Sequence, residues 1–143
     1  MRVLTIDDDP DVRTLCRLIL ECAGHEALEA SDGLEGIELA ISERPELVLL
    51  DVSLPRFDGF SVLAELGSRP ETKGIPAVML TAMTKKSDQL RGWLAGAVEY
   101  LPKPFTPNEL SAKVEQVARM SPRERARHRV RTVSRLSESL LAS

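Results

Sequence analysis

Short apolar runs alternate with stretches of helical period five times over the first 120 residues. Residues 3–6 (Val-Leu-Thr-Ile), 47–50 (Leu-Val-Leu-Leu) and 77–80 (Ala-Val-Met-Leu) are four-residue runs rich in branched side chains. Runs of that length, apolar throughout, predict strands buried on both faces, as in a parallel sheet. Glu26–Ala30 and residues 98–101 predict two weaker strands. Between them, Val12, Leu15, Cys16, Ile19 and Ala23 recur at helical spacing, with Asp9 as N-cap, Pro10 at the first helical position and Gly24 as the stop. Leu34, Ile37, Ala40 and Ile41 mark a second helix, capped by Ser31 or Asp32. Phe60, Leu63, Ala64 and Leu66 mark a short third, after a loop over 52–59 that holds Pro55 and Asp58-Gly59. Residues 67–76 read as a polar connection and 87–95 as a fourth helix, weakened by Gly92 and Gly96. The fifth helix opens at Pro107 with Thr106 as cap and turns Leu110, Val114 and Val117 inward. Alternating β and α elements predict an α/β fold, a parallel sheet with helices on both faces and right-handed crossovers. Ser121-Pro122 marks the expected end of this unit, 1–120. Residues 121–143 are expected to be a basic helical tail.

Strand ends carry the candidate chemistry. Asp7-Asp8-Asp9 closes the first run and Asp51 the third; Thr81 closes the fourth and Lys103-Pro104 follows the fifth. In a parallel sheet these ends meet at one edge, where open α/β folds bind ligands. Crowded carboxylates repel one another and favour a hard cation such as Mg²⁺. Asp9 alone is adequately explained as a helix cap.

Taken in order, Ile6-Asp7-Asp8-Asp9-Pro10, Asp51-Val52-Ser53-Leu54-Pro55, Phe57-Asp58-Gly59-Phe60, Thr81-Ala82, Ala95-Gly96-Ala97 and Tyr100-Leu101-Pro102-Lys103-Pro104-Phe105 resemble the receiver domain of two-component response regulators. The resemblance covers residues 1–120. It implies a flavodoxin-like, doubly wound five-stranded parallel sheet of order 2-1-3-4-5, followed here by the helical extension. It implies that Asp51 accepts a phosphoryl group from a histidine kinase, a phosphotransfer protein or a small donor. It implies Mg²⁺ held by Asp8, Asp51 and the backbone carbonyl of Ser53, with Asp7 assisting through water. Lys103, after a cis peptide to Pro104, and Thr81 would contact phosphoryl oxygens, and Tyr100 would act as a rotamer switch. Ser53 and Met83 would tune how long the phosphoryl group persists. The helix 4–strand 5–helix 5 surface would change with phosphorylation and control a partner or self-association. The expected protein is a cytoplasmic switch and not an enzyme. A related phosphatase would carry an acidic acid/base residue where Ser53 stands.

Composition changes this picture only at the C-terminus. The chain is 43% hydrophobic, 29% charged and 3% aromatic, so its core must be aliphatic. Residues 119–143 hold seven Arg and two Glu, a net of +5, which leaves the preceding 118 residues at −8 within a total of −3. That balance argues against general nucleic-acid affinity for this chain. The tail alternates Arg123, Arg125, Arg127, Arg129 and Arg131, while Ala126, Val130, Val133, Leu136 or Ser137, and Leu140 fit an amphipathic helix continuing the fifth. Three readings compete for it: a helical linker cut from a longer protein, a docking element for a partner or a second copy, or a basic segment touching nucleic acid or an anionic surface. Trp93 is either a core residue or a contact on the output face. His25 and His128 read as exposed. Cys16 and Cys22, on one helix, cannot bridge each other and are expected to be free thiols. No apolar run reaches the roughly 18 residues of a membrane span, and no signal peptide precedes the first strand.

Overall fold

The computed structural model describes residues 1–82 and 85–142. Elements alternate as expected: β1 (Arg2–Ile6), α1 (Pro10–Cys22), β2 (Glu26–Ala30), α2 (Gly33–Glu43), β3 (Leu47–Asp51), α3 (Gly59–Ser68), β4 (Ala77–Thr81), α4 (Lys86–Ala95), β5 (Glu99–Pro102), α5 (Pro107–Arg119) and α6 (Pro122–Ala142). All strand pairings are parallel, and the sheet runs β2-β1-β3-β4-β5. The strand order and doubly wound architecture are those the motifs implied.

Strand side chains alternate between two aliphatic cores, because successive residues point to opposite faces. Val3, Leu47, Leu49, Val78, Leu80 and Leu101 pack with Cys16, Ile19 and Leu20 of α1 and Leu110, Val114 and Val117 of α5. Leu4, Ile6, Val48, Leu50 and Met79 pack with Ile37 and Ala40 of α2 and Phe60, Leu63 and Leu66 of α3.

Local chemistry fixes where the helices begin. Asp9, Asp32 and Asp58 each accept a backbone N–H in the first turn of α1, α2 and α3. Thr106 and Glu109 close a capping box on α5, with Pro107 opening the helix. Of the two caps offered for α2, Asp32 is the one used. α3 is longer than its apolar residues suggested and runs to Ser68. Within the connection that follows, Thr72 is buried and donates to the Leu66 carbonyl at 2.6 Å, holding the loop against α3.

The tail departs from expectation. α5 and α6 are separate helices, broken at Met120-Ser121. The Ser121 hydroxyl accepts the Glu124 N–H at 3.1 Å, so α6 has its own start. α6 then packs back along α4, burying Thr132 and Leu136. Val130, assigned to the inner face by spacing, is 66% exposed, and Ala126 is exposed too. The face turned inward is Arg125, His128, Arg129, Thr132, Val133, Leu136 and Leu140.

Candidate functional site at the carboxyl edge of the sheet

Four strand ends supply the site. β1 ends at Ile6, and the chain turns at once into Asp7 and Asp8. Asp7 is held in place by its backbone: its N–H donates to the Ala30 carbonyl at 3.1 Å, and its own carbonyl accepts the Arg13 guanidinium at 2.7 Å. Arg13 was not among the expected site residues; its spacing on the outer half of α1 gave no hint of this anchor. Its other partner is Glu29 at 3.6 Å. Asp51 ends β3 beside Leu80, and the Val52 N–H continues the ladder to the Leu80 carbonyl at 3.1 Å. Gly59 lies so close beneath that a Cβ there would meet the Asp51 carbonyl and come within 2.7 Å of the Val52 Cα. Only glycine permits α3 to start this close to the strand end.

Asp7 is fully buried, Asp51 nearly so, and Asp8 is exposed. One carboxylate oxygen from each lies within 4.8 Å of the others. The Lys103 ammonium reaches across the gap, 2.8 Å from Asp7 Oδ2 and 3.6 Å from Asp51 Oδ1. β4 and β5 deliver it: the Lys103 N–H donates to the Thr81 carbonyl at 2.7 Å, and the Lys103-Pro104 peptide is cis. Ser53, exposed on the following loop, donates its N–H to Asp51 Oδ1 at 3.1 Å.

Burial pushes the Asp51 carboxyl up from its ordinary value, and the charges of Asp7 and Asp8 add to the push; the Ser53 N–H and Lys103 oppose it. Burial works to lower Lys103, but the hydrogen bond to Asp7 and the charge of Asp51 prevail, so its pKa rises. The ammonium is therefore a fixed positive charge. One cation faces three carboxylates, and the cluster retains an anionic excess. Cys16 lies beneath, buried, its thiol pushed up to about 12 by burial and then by the charge of Asp7. A thiol held in that form is a packing group. Cys22 is exposed, and both thiols are free.

Thr81 is buried at the end of β4. In register it pairs with Pro102, and Met79 pairs with Tyr100. Residues two apart on a strand share a face, so Thr81 and Tyr100 lie on one side of the β4–β5 pair, a two-residue step apart. Tyr100 is half-buried and donates its hydroxyl to the Asp88 carbonyl of α4 at 3.3 Å. Met83, expected beside the site, lies outside the described residues.

The sequence matches the family model described as the response regulator receiver domain over residues 3–115. The chain belongs to this family. As a receiver domain it is 41% identical over 122 residues to the DNA-binding dual master transcriptional regulator RpaA of Synechocystis, a match covering 85% of this chain and 51% of RpaA. It is 38% identical to the alkaline phosphatase synthesis transcriptional regulatory protein PhoP of Bacillus subtilis, covering 84% of this chain and 49% of PhoP. The chain thus spans about half the length of the curated relatives it matches. Among solved structures, the receiver resembles a response regulator from Chloroflexus aurantiacus (TM-score 0.79, 35% identity, 83% of this chain and 98% of that one). It also resembles the chemotaxis protein CheY4 of Vibrio cholerae (TM-score 0.78, 31% identity, 81% of this chain and 97% of that one).

The expectation for the two histidines is corrected, and of the two readings of Trp93 the buried one holds. His25 and His128 are half-buried, not exposed: His25 lies 3.2 Å from both the N-terminal amine and Glu115, and His128 lies 3.0 Å from Glu99. Trp93 is buried, but α6 and Tyr100 cover it, outside both aliphatic cores. Among the described residues, no helix is long and apolar enough to cross a membrane.

Proposed function

We propose that this receiver domain is a phosphorylation switch whose acceptor is Asp51, with a cytoplasmic sensor histidine kinase or phosphotransfer protein as donor. The observation that carries the reading is Lys103, set between Asp7 and Asp51 at 2.8 and 3.6 Å on adjoining strand ends. An ammonium so placed neutralises charge on a phosphoryl oxygen as that group reaches the Asp51 carboxylate. Phosphoryl transfer asks the protein for little more than an in-line nucleophile and such neutralisation.

Asp7, Asp8 and Asp51 fit a hard divalent cation. An octahedral Mg²⁺, with bonds of about 2.0–2.1 Å, holds protein oxygens within about 4.2 Å of one another, and the three carboxylates each present an oxygen within 4.8 Å of the others. In our reading Asp8, Asp51 and the Ser53 carbonyl are ligands and Asp7 assists through water. Bound there, the ion supplies the charge that allows an anionic donor to approach an anionic pocket. Ser53, whose N–H meets Asp51, sets access to the acceptor and so the lifetime of the acyl phosphate; Met83, two positions after Thr81 in sequence, is assigned the same role. Thr81, on the same face as Tyr100, senses the phosphoryl group and passes the change to the α4–β5–α5 surface.

That reading makes the protein a binding switch and not an enzyme, one whose output is a partner or a second copy. A second reading is favoured by length: this chain is the receiver portion of a longer regulator, since it matches about half of RpaA and PhoP, both described as transcriptional regulators.

Titration with beryllofluoride and Mg²⁺, followed by Trp93 fluorescence and calorimetry, tests the assignment. Binding is expected for the parent chain, lost in Asp51→Asn and in the absence of Mg²⁺. Thr81→Ala is expected to bind yet to lose the fluorescence change. Unaltered binding by Asp51→Asn rules out Asp51 as acceptor.

A further inference from the structure

α6 meets the domain through one face. The Arg129 guanidinium donates to the Trp93 carbonyl at 3.0 Å, and the His128 ring stands edge-on to the indole with centroids 5.4 Å apart. His128 Nε2 lies 3.0 Å from Glu99 on β5. Lys86, at the start of α4, donates to the Ser139 hydroxyl, and Thr132 and Leu136 are buried. Arg123, Arg127, Arg131 and Arg135, spaced by four, are exposed on α6 and take no part in this seat. The seat thus combines polar contacts with the buried Thr132 and Leu136.

On its other side the same indole faces Tyr100, with ring centroids 6.2 Å apart. The Tyr100 hydroxyl fills the space that a Cβ at Gly92 would need, so the phenol leans directly on the α4 backbone. Tyr100, Trp93 and α6 thus form one packed stack with α4 as the shared wall. If Tyr100 turns toward Thr81, its hydroxyl leaves the Asp88 carbonyl and its ring leaves Trp93. The α4 surface that seats Arg129 and His128 changes with it.

We propose that α6 is a tethered ligand of the α4–β5 face, seated while Asp51 is unmodified and released when Asp51 is phosphorylated. The proposal rests on the phosphoacceptor reading above. While seated, α6 occupies the surface through which a receiver of this shape would meet a partner or a second copy, so either must compete with it. Coupling of this kind is reciprocal: whatever phosphorylation removes from the seating of α6, loosening α6 returns as affinity for the phosphoryl group.

Hydrogen exchange on the full chain with Mg²⁺, with and without beryllofluoride, tests the proposal, with Asp51→Asn as control. Amides of residues 122–142 are expected to exchange about ten-fold faster with the mimic, while β1 and β3 stay protected. Arg129→Ala/Leu136→Ala, which loosens the seat, is expected to bind beryllofluoride about 5-fold tighter, the lower end of ordinary coupling. Beryllofluoride bound at Asp51 with exchange in 122–142 unchanged or slowed overturns the release of α6 and leaves the acceptor reading intact. Unchanged affinity in the double variant overturns the coupling. No binding of the mimic by the parent chain overturns the acceptor reading, and this proposal with it.

Discussion

At the scale of single residues, charge and burial oppose each other. Asp51 sits where burial and two neighbouring carboxylates disfavour its charge, and Lys103 partly offsets both. Tyr100 shows burial as the leading effect on a neutral group. Its phenol is pushed up to about 12, first by burial and then by the charge of Asp88. The protein contains one tyrosine, so its phenolate absorbance reports this site alone. Titrated in the folded state, it is expected to have a midpoint near 12, against about 10 for the unfolded chain. The folded value lies above the unfolded one, so the contribution to stability is complete below about pH 10 and is lost as pH rises toward 12. A native midpoint near 10 would mean that the hydroxyl is not held against α4. The strand-end positions of Asp7, Asp8, Asp51, Thr81 and Lys103 were legible because each lies at or within two residues of the end of an apolar run. Arg13 was not, because the role of a surface arginine depends on which carbonyl the fold brings to it.

At the scale of elements, helix starts were legible, and the inner face of the last helix was legible at Val133, Leu136 and Leu140 but not in its first half. Thr106-Pro107 and Glu109 announce α5 by residue type alone, and the structure closes both bonds of the box, at 3.1 and 3.0 Å. Thr106→Ala is expected to cost about 1 kcal/mol, as caps usually do; urea unfolding would show it as a lower midpoint with an unchanged slope. A cost near zero would mean that Pro107 alone sets the start. For α6, apolar spacing selected Ala126 and Val130, yet the helix buries Thr132 and turns Arg125, His128 and Arg129 inward. The partner surface offers a carbonyl at Trp93, a carboxylate at Glu99 and an indole. A polar seat selects polar residues, and hydrophobic periodicity does not see it. A break near Met120-Ser121 was legible from Ser121-Pro122, but not the turn that sends the next helix back onto α4.

At the scale of the molecule, the sheet order gathers acidic strand ends at one edge and places α4, β5 and α6 along another. Much of the tail's net +5 sits on the Arg ridge that faces outward, while His128 on Glu99 joins α6 to β5. One domain thereby joins a charged pocket to a helix it can hold or release. All of this depends on Asp51 being the acceptor. The most direct test is to incubate the full chain with acetyl phosphate and Mg²⁺, trap any acyl phosphate by borohydride reduction, and locate it by peptide mass spectrometry. The account expects one modified residue, Asp51, with labelling lost when Mg²⁺ is removed or Asp51 is replaced by Asn. A folded chain that takes no label, or takes it at another residue while Asp51→Asn labels equally well, would contradict it.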